Sequence, residues 1–315
     1  MNETWSPDNP SHLPVLKEEV LEYLNIQPSG FYLDGTVGLG GHTSAIQSRL
    51  SKNGVVVGLD GDAGALERCR TSLPSRPTLH LFHDSYDNFP RHLRSLQIER
   101  VDGMLLDLGL SSHQLDSPVR GFSYRIDGPL DMRFDLSNPR TARRIVEEST
   151  GDELTRLILE LGEERRARQI ARALVRARKR EPITTTFQLR DVVGSALDRR
   201  TRTKSLSRVF QAFRMAVNRE RETLQRFLDT FMDYLKPGGR LVVISYHSLE
   251  DRPVKRKIRE LARGCVCPPQ LPICQCGHDP EVRILTPTPV TPGREEIQHN
   301  PRSRSAKLRA AEKTA

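Results

Sequence analysis

A glycine-rich segment near the N-terminus constrains the fold more than any other feature of the sequence. Residues 34–42 read DGTVGLGGH and directly follow the short apolar run of residues 31–33. A helix-like stretch, residues 43–50, comes next. Glycine lets a backbone turn tightly and approach a ligand closely, and the N-terminus of a helix offers free N–H donors. The sequence therefore predicts a strand, a ligand-binding turn and a helix in succession.

Four short apolar runs of this kind occur in the first third of the chain, separated by helix-like stretches. They are residues 31–34, 55–60, 79–82 and 104–107. Strands and helices that alternate at this spacing predict βαβ units and a parallel sheet, so the predicted fold class is α/β. Open α/β sheets bind ligands at the carboxyl ends of their strands. We therefore expect a ligand site at the aspartates that end three of the runs, which are Asp34, Asp60 and Asp107.

The residues around the glycines indicate the class of ligand. Asp60 lies twenty residues after Gly40, where an acidic side chain can accept hydrogen bonds from ribose hydroxyls. A dinucleotide fingerprint starting at Gly38 requires glycine at position 43, which is Thr43 here. Asp34 would repel a pyrophosphate but could orient a cationic ligand such as S-adenosylmethionine. These residues favour a methyltransferase; a nicotinamide-dependent oxidoreductase and a glycine turn without a ligand are the alternatives.

The strand pattern is interrupted in the middle of the chain. From residue 139 to residue 208 no strand-like run occurs, and helical periodicity predicts helices over residues 163–180 and 184–197. A single long amphipathic helix is predicted over residues 208–235. A turn at residues 236–239, which read KPGG, precedes a strand over residues 240–245.

This interruption predicts two domains, which suits a length of 315 residues. The first is a discontinuous methyltransferase domain made of residues 1–117 and 209–315. The second is an all-helical substrate-binding domain, residues 118–208, inserted into the first.

Positive charge is concentrated in the predicted insertion. The chain carries 49 Lys and Arg against 40 Asp and Glu, a net charge of +9, and residues 140–208 alone account for +8. Such a segment is typical of proteins that bind a phosphate-rich partner, most often a nucleic acid. The alternative is a solvated helical surface without a partner. In the helix over residues 163–180 the apolar stripe should pack inward and leave four cations in solvent, namely Arg165, Arg172, Arg176 and Lys179. A non-enzymatic RNA-binding or ribosome-assembly factor is a third class of function that would need only this segment.

Six blocks of sequence then occur in the order of a known family. Together they resemble the bacterial ribosomal RNA small-subunit methyltransferase H family, which uses S-adenosylmethionine to make N4-methylcytosine in 16S rRNA. The resemblance runs from His12 to about Arg309. The blocks are DGTVGLGGH at 34–42, LLDLGLSSHQLD at 105–116, RGFS at 120–123, DGPLDMR at 127–133, GEER at 162–165 and SYHSLEDR at 245–252.

The resemblance implies a class I methyltransferase fold, S-adenosylmethionine as cofactor, and 16S rRNA of the small ribosomal subunit as partner. Two positions depart from the family pattern: position 86 is Tyr where some members have Phe, and position 113 is His where others have Pro. Carried over position by position, the cofactor-binding residues are Gly40, Gly41, His42, Asp60, Tyr86, Asp107 and Gln114.

Transfer to a cytosine N4 amine sets the requirements for catalysis. The amine is a weak nucleophile because its lone pair is delocalised into the ring, so direct displacement depends on the alignment of nitrogen, methyl carbon and sulfur. A hydrogen-bond acceptor on the amine would localise the lone pair and take up the proton. Asp107 and His247, both at predicted strand ends, are the candidates. A purely cofactor-binding Asp107 and a structural His247 are the alternatives.

The remaining expectations concern metals, assembly and location. Four cysteines cluster as Cys265-x-Cys267 and Cys274-x-Cys276, but this spacing departs from the common C-x2-C of structural zinc sites. We expect no metal, with zinc as the alternative. The sequence does not fix the oligomeric state, and a homodimer is one candidate. The N-terminus does not have the pattern of a signal peptide, and no apolar run reaches the roughly 18 residues of a membrane span, so we expect a cytoplasmic protein with no membrane partner.

Overall fold

The computed structural model describes residues 14–73, 78–265, 267 and 276–315. The described residues form two compact units, each with its own hydrophobic core. The first unit comprises Met1–Gly109 and Thr223–Ala315, and the second comprises Leu110–Glu222. The chain therefore leaves the first unit once and returns to it.

Strands and helices alternate in the first stretch of the first unit, and the four predicted strands are confirmed. Strand β1 pairs in parallel with β2 and with β4, and β2 pairs in parallel with β3. The elements are α1 (Lys17–Leu24), β1 (Phe31–Asp34), α2 (Gly41–Arg49), β2 (Val55–Asp60), α3 (Ala63–Ser72), β3 (Leu79–His83), α4 (Phe89–Ser95) and β4 (Val101–Asp107).

Apart from an isolated bridge between Pro129 and Thr185, the regular elements among the described residues of the second unit are helices. Capping boxes begin three of its helices: Ser111 and Gln114 exchange hydrogen bonds at the first N-terminus, Thr150 and Glu153 at the second, and Thr185 and Gln188 at the third. Its helices are α5 (Ser112–Asp116), α6 (Ala142–Glu148), α7 (Gly151–Gly162), α8 (Ala167–Arg178), α9 (Thr186–Ser195) and α10 (Arg202–Asn218).

The last stretch of the chain completes the sheet of the first unit. Strand β5 lies parallel to β4, and β7 runs antiparallel between β5 and β6. The strand order is β3-β2-β1-β4-β5-β7-β6, which confirms the predicted α/β fold class. The elements are α11 (Glu220–Thr230), β5 (Leu235–Ser245), α12 (Ser248–Leu261), β6 (Val282–Ile284), α13 (Arg294–His299) and β7 (Lys307–Lys313).

The sheet buries apolar side chains on both faces. Successive side chains of a strand point to opposite faces. Leu33, for example, packs in the cluster that contains Phe89 and Phe227, whereas its neighbour Tyr32 packs in the cluster that contains Ile46. Helices therefore cover both faces of the sheet, which leaves the ends of its strands for a ligand site.

Three predicted boundaries in the helical region are wrong. The single helix over residues 208–235 is broken between α10 and α11, because Arg219 adopts a left-handed conformation with φ of 52°. The helix predicted over residues 163–180 begins only at Ala167, because α7 ends at Gly162 and Glu163 is also left-handed, with φ of 49°. The turn predicted at residues 236–239 lies inside β5 as a bulge, since Leu235 pairs with Val101 and Arg240 already pairs with Gly103.

The insertion is longer than the predicted residues 118–208. Its unit begins at Leu110 and ends at Glu222. The physical reason lies in α10, whose side chains Phe210, Phe213 and Val217 are buried in the helical core rather than against the sheet. Within the described residues no helix is both long and apolar enough to span a membrane.

Candidate active site

The glycine loop connects β1 to α2 and admits no side chains at two of its positions. A Cβ atom on Gly35 would lie 2.4 Å from Leu106 Cδ2, and one on Gly40 would lie 2.8 Å from Cys69 Sγ. Gly40 also has φ of 88°, a conformation that glycine adopts without strain. Gly40 caps α2 and Gly41 is its first residue, two residues before the helix start predicted at Thr43. The loop therefore packs closely on β4 and α3 and turns directly into a helix N-terminus.

Asp34 holds this loop together from inside. Its side chain is fully buried, Oδ2 accepts a hydrogen bond of 2.6 Å from Thr43 Oγ1, and Oδ1 accepts one of 3.1 Å from the Thr36 amide. Burial raises the pKa of the Asp34 carboxyl, and the Thr43 hydrogen bond opposes that shift. The expectation that Asp34 orients a cationic ligand is wrong, because the side chain is fully buried and a ligand cannot contact it. Thr43, the residue that breaks the dinucleotide fingerprint, donates its hydroxyl hydrogen bond to the Asp34 carboxylate.

Asp60 ends β2 and faces the same loop. Its Oδ2 accepts a hydrogen bond of 2.7 Å from the Gly38 amide, and its Oδ1 accepts one of 2.8 Å from the Asp62 amide. Burial raises the pKa of the Asp60 carboxyl to about 6, although both amide donors favour the charged form. Each carboxylate oxygen has a second lone pair. Asp60 can therefore hold the loop in place and still accept hydrogen bonds from a ligand.

Asp107 ends β4 and lies between two side chains from other elements. Its amide donates a hydrogen bond of 2.7 Å to Thr36 Oγ1, which ties the end of β4 to the glycine loop. Its Oδ1 accepts a hydrogen bond of 2.9 Å from Tyr246 Oη, and its Oδ2 lies 3.6 Å from His42 Nε2. The Asp107 side chain is 22 % exposed, so a ligand can reach it.

His42 places a buried imidazole ring beside Asp107. The residue lies on the first turn of α2 and is only 6 % exposed, yet neither ring nitrogen has a hydrogen-bond partner among the described residues. Buried polar groups in folded proteins are almost always paired, so this ring beside Asp107 is positioned to make a polar contact with a ligand.

Two other predicted cofactor residues have different surroundings. Tyr86 lies in a short 3₁₀ turn after β3, is half-buried, and packs edge-on against Phe227 with ring centroids 5.8 Å apart. Gln114 belongs to the second unit, where its Oε1 accepts a hydrogen bond of 3.1 Å from the Ser111 amide at the start of α5. Cofactor binding by Tyr86 and Gln114 stays a prediction.

His247 is anchored by a residue that the sequence analysis missed. Its Nε2 lies 3.1 Å from Glu250 Oε1, and Glu250 Oε2 accepts a hydrogen bond of 2.8 Å from the Tyr246 amide. Glu250 is buried, with 4 % exposure, in the first turn of α12. These contacts support the structural alternative for His247, and its catalytic role stays a prediction.

Tyr246 is the second residue that sequence reasoning missed. It directly follows β5, and the carboxyl ends of β4 and β5 meet at one edge of the sheet because the two strands are parallel and adjacent. Burial and the neighbouring Asp107 carboxylate raise the pKa of the Tyr246 phenol well above its ordinary value, so the hydroxyl remains a hydrogen-bond donor. Its position after a strand that ends beside Asp107 is the signal that could have identified it.

The fold and the site together define a class of protein. The strand order with β7 antiparallel between β5 and β6, a glycine loop after β1 and an acid after β2 are the arrangement of class I S-adenosylmethionine-dependent methyltransferases. The residues fit this cofactor: Asp60 can accept from ribose hydroxyls, and the unpaired ring of His42 offers a polar contact. The chain belongs to the MraW methylase family, whose model matches residues 9–314. That membership excludes the nicotinamide-dependent alternative.

Curated relatives match nearly the whole chain. The chain is 46 % identical over 305 residues to the ribosomal RNA small subunit methyltransferase H of Halothermothrix orenii, covering 96 % of this chain and 98 % of that protein. It is 49 % identical over 313 residues to the protein of the same name from Nitratidesulfovibrio vulgaris strain DP4, covering 98 % and 97 %. The Geobacter sulfurreducens protein of that name is 48 % identical over 313 residues, covering 96 % and 99 %.

Proposed function

We propose that the protein transfers a methyl group from S-adenosylmethionine to the N4 amine of a cytidine in 16S rRNA of the small ribosomal subunit. The observation that carries this proposal is the unpaired, buried His42 ring beside Asp107, at the glycine loop of a chain in the methylase family. The relatives' names refer to small-subunit ribosomal RNA, and the N4 position comes from the resemblance of the sequence blocks.

The chain's own residues divide the work of binding. When bound, S-adenosylmethionine supplies an electrophilic methyl group. Asp60 would accept hydrogen bonds from its ribose while keeping the Gly38 amide in place. Gly35 and Gly40 keep the loop free of side chains, and the loop leads into the N-terminus of α2. Because the loop is tied to β2 and β4, binding requires little ordering of the backbone.

Asp107 is the proposed acceptor for the cytosine amine. The hydrogen bond from Tyr246 fixes Oδ1, and Oδ2 has an ion-pair contact with His42 at 3.6 Å. An amine hydrogen accepted by Oδ2 would localise the nitrogen lone pair toward the methyl group, and Oδ2 could then take the proton. A carboxylate held in one orientation before the substrate arrives contributes more than a mobile one, because its alignment has already been established.

The second unit is the proposed binding surface for the RNA. It carries 24 basic and 16 acidic residues, which give it a net charge of +8 out of +9 for the whole chain. In α8 the predicted stripe is confirmed: Ile170 and Leu174 are buried, and the predicted cations are exposed. Arg172, Arg176 and Lys179 have no acidic partner among the described residues and are available to phosphates.

Location and assembly complete the proposal. A ribosomal RNA substrate implies a cytoplasmic enzyme without a membrane partner. A homodimer is one proposed assembly state, and the mass of the protein measured by light scattering would test it.

The decisive experiment is transfer of a tritiated methyl group to isolated 30S subunits, followed by nucleoside analysis of the product. We expect N4-methylated cytidine, and Asp107→Asn should lower the single-turnover rate far more than it weakens cofactor binding. Equal losses in rate and binding would reduce Asp107 to a cofactor ligand. His247→Ala is the matched test of the other candidate: a rate within about twofold of wild type, which corresponds to well under 1 kcal/mol, identifies it as structural. RNA binding with no methyl transfer to any substrate would overturn the proposal.

A further inference from the structure

Three cysteine thiols converge between the end of α12 and the start of β6. The Sγ atoms of Cys265, Cys267 and Cys276 all lie within 4.8 Å of one another. Cys265 and Cys276 are exposed and Cys267 is half-buried, so a solute can reach the group. Cys274, the fourth cysteine of the sequence cluster, lies outside the described residues.

The separation of the thiols matches shared coordination of one ion. In a tetrahedral site with zinc–sulfur bonds of about 2.3 Å, two sulfur ligands lie roughly 3.8 Å apart. Cys265 Sγ and Cys276 Sγ are 3.8 Å apart. A disulfide would require about 2.05 Å, so the observed pair is not in a disulfide geometry. Thiolate sulfur is a soft ligand, and soft ligands select zinc or copper(I) over magnesium or calcium.

The backbone on either side of the cluster is fixed independently of the thiols. The Glu281 amide donates a hydrogen bond of 2.8 Å to the Leu261 carbonyl, which closes the base of the loop. Next to it, a Cβ on Gly264 would be in van der Waals contact with Pro280, at 3.4 Å from its Cγ. The two arms that carry Cys265 and Cys276 are therefore held side by side before any ion binds.

We propose that Cys265, Cys267 and Cys276 bind a zinc ion. Each thiol loses its proton to solvent as its sulfur binds, so the affinity should rise with pH until the thiols are ionised. Three thiolates leave one tetrahedral position, which water or another side chain can take. The C-x-C spacing that weighed against zinc in the sequence does not prevent the thiols from converging. The ion would cross-link the end of α12 to the segment that leads into β6.

The test measures metal directly and does not depend on catalysis. Full-length protein purified without chelator should contain about one zinc per chain by mass spectrometry of the elements. Replacing zinc with cobalt(II) should give the thiolate charge-transfer absorption and the visible bands of a tetrahedral sulfur site. Cys265→Ser, Cys267→Ser and Cys276→Ser should each reduce the zinc content at least severalfold.

Cys69→Ala is the matched control. Cys69 is fully buried on α3, and burial raises the pKa of its thiol to about 12, so it is neither accessible nor ionised. This variant should keep its zinc, and cofactor binding by each serine variant will show that the sheet is still folded. Alkylation of the native wild type should be slow at the cluster and should become fast after a chelator is added. The proposal would be overturned if wild-type protein contained no zinc or gave no cobalt(II) spectrum. It would also be overturned if the cluster thiols were alkylated equally fast with and without chelator.

Discussion

Neutralising one face of α8 tests whether the helical unit binds RNA through phosphates. Arg172, Arg176 and Lys179 are spaced four and three residues apart, so they share a face of the helix. At a rise of 1.5 Å per residue this set spans about 10 Å, and the twelve residues of the whole helix span about 18 Å rather than the 27 Å of the longer predicted helix. The perturbation is the triple substitution of these three residues by glutamine, which removes three charges and leaves the buried stripe intact.

The magnitude follows from counterion release. Each phosphate contact on single-stranded RNA contributes about −0.7 to the slope of log affinity against log salt. If all three cations contact phosphates, the slope of the triple variant should be less steep by about 2. Between roughly 50 and 200 mM salt the wild type should therefore lose about 20-fold more affinity than the variant does. Affinity for S-adenosylmethionine should not change, because the proposed cofactor residues Asp60 and His42 belong to the first unit.

The assay is a salt titration of RNA binding by fluorescence anisotropy. The matched control is a triple substitution of Arg143, Arg144 and Arg190 by glutamine, since these arginines of the same unit are each paired with an acidic side chain. The control removes the same charge from positions that are already neutralised locally, so its slope should stay close to that of the wild type. A wild-type slope in the α8 variant would refute the reasoning and make this face a solvated surface. If the salt slope became less steep by the same amount in both triple variants, the RNA would respond to the overall positive charge of the unit rather than to specific phosphate contacts.

Three further predictions concern the first unit. Asp60→Asn should weaken S-adenosylmethionine binding by about 1.5–3 kcal/mol, as expected for hydrogen bonds to a charged group. Because the pKa of Asp60 is about 6, the affinity of the wild type for S-adenosylmethionine should be full above that pH and fall below it. Calorimetry of the variant should show no such pH dependence. A variant that binds the cofactor as tightly as the wild type would remove Asp60 from the site. Tyr246→Phe should slow single-turnover methyl transfer by roughly tenfold, about 1.4 kcal/mol, because Asp107 loses the donor that orients it. Cofactor binding should not weaken. An unchanged rate would contradict this positioning role of Tyr246. Gly35→Ala should lower the free energy of unfolding by about 1–3 kcal/mol through overpacking. The control is Gly293→Ala, because a Cβ on Gly293 would have nothing within 4 Å and its φ of -69° suits alanine. A denaturant titration in which the control loses more stability than Gly35→Ala would contradict the close approach.

The parts of the site that the sequence predicts are those encoded locally. An apolar run followed by an aspartate is visible in a few residues, and Asp60 and Asp107 do end β2 and β4 at the glycine loop. The contact between Tyr246 and Asp107 joins residues 139 positions apart. The sequence places Tyr246 after a predicted strand, but the pairing of β5 with β4 that brings it to Asp107 is a tertiary contact. The role of Asp34 was misjudged for a related reason, since its burial depends on how α2 packs beside β1.

The helical region shows how tertiary contacts override periodicity. Apolar residues continue at helical spacing through Arg219, so the pattern predicts one long helix. In the structure Asn218 Oδ1 accepts a hydrogen bond of 2.7 Å from the Phe134 amide, and Asn218 Nδ2 donates one of 2.8 Å to the Met132 carbonyl. These partners lie more than eighty residues away and accompany the end of α10 at Asn218. The spacing of apolar residues along the sequence does not indicate such long-range contacts.

The position of β7 has a consequence for synthesis of the chain on the ribosome. Strand β7 lies between β5 and β6, so the sheet has its full order only after Lys307–Lys313 has been made. The helical unit is continuous from Leu110 to Glu222 and can fold as soon as it emerges. Some eighty-five residues separate Glu222 from Lys307, and at roughly 5–20 residues per second their translation takes on the order of 4 to 17 seconds. During that interval a nascent chain would carry a folded helical unit, the proposed RNA-binding surface, while the sheet is still incomplete. The basic helices would then be in place before the proposed active site is.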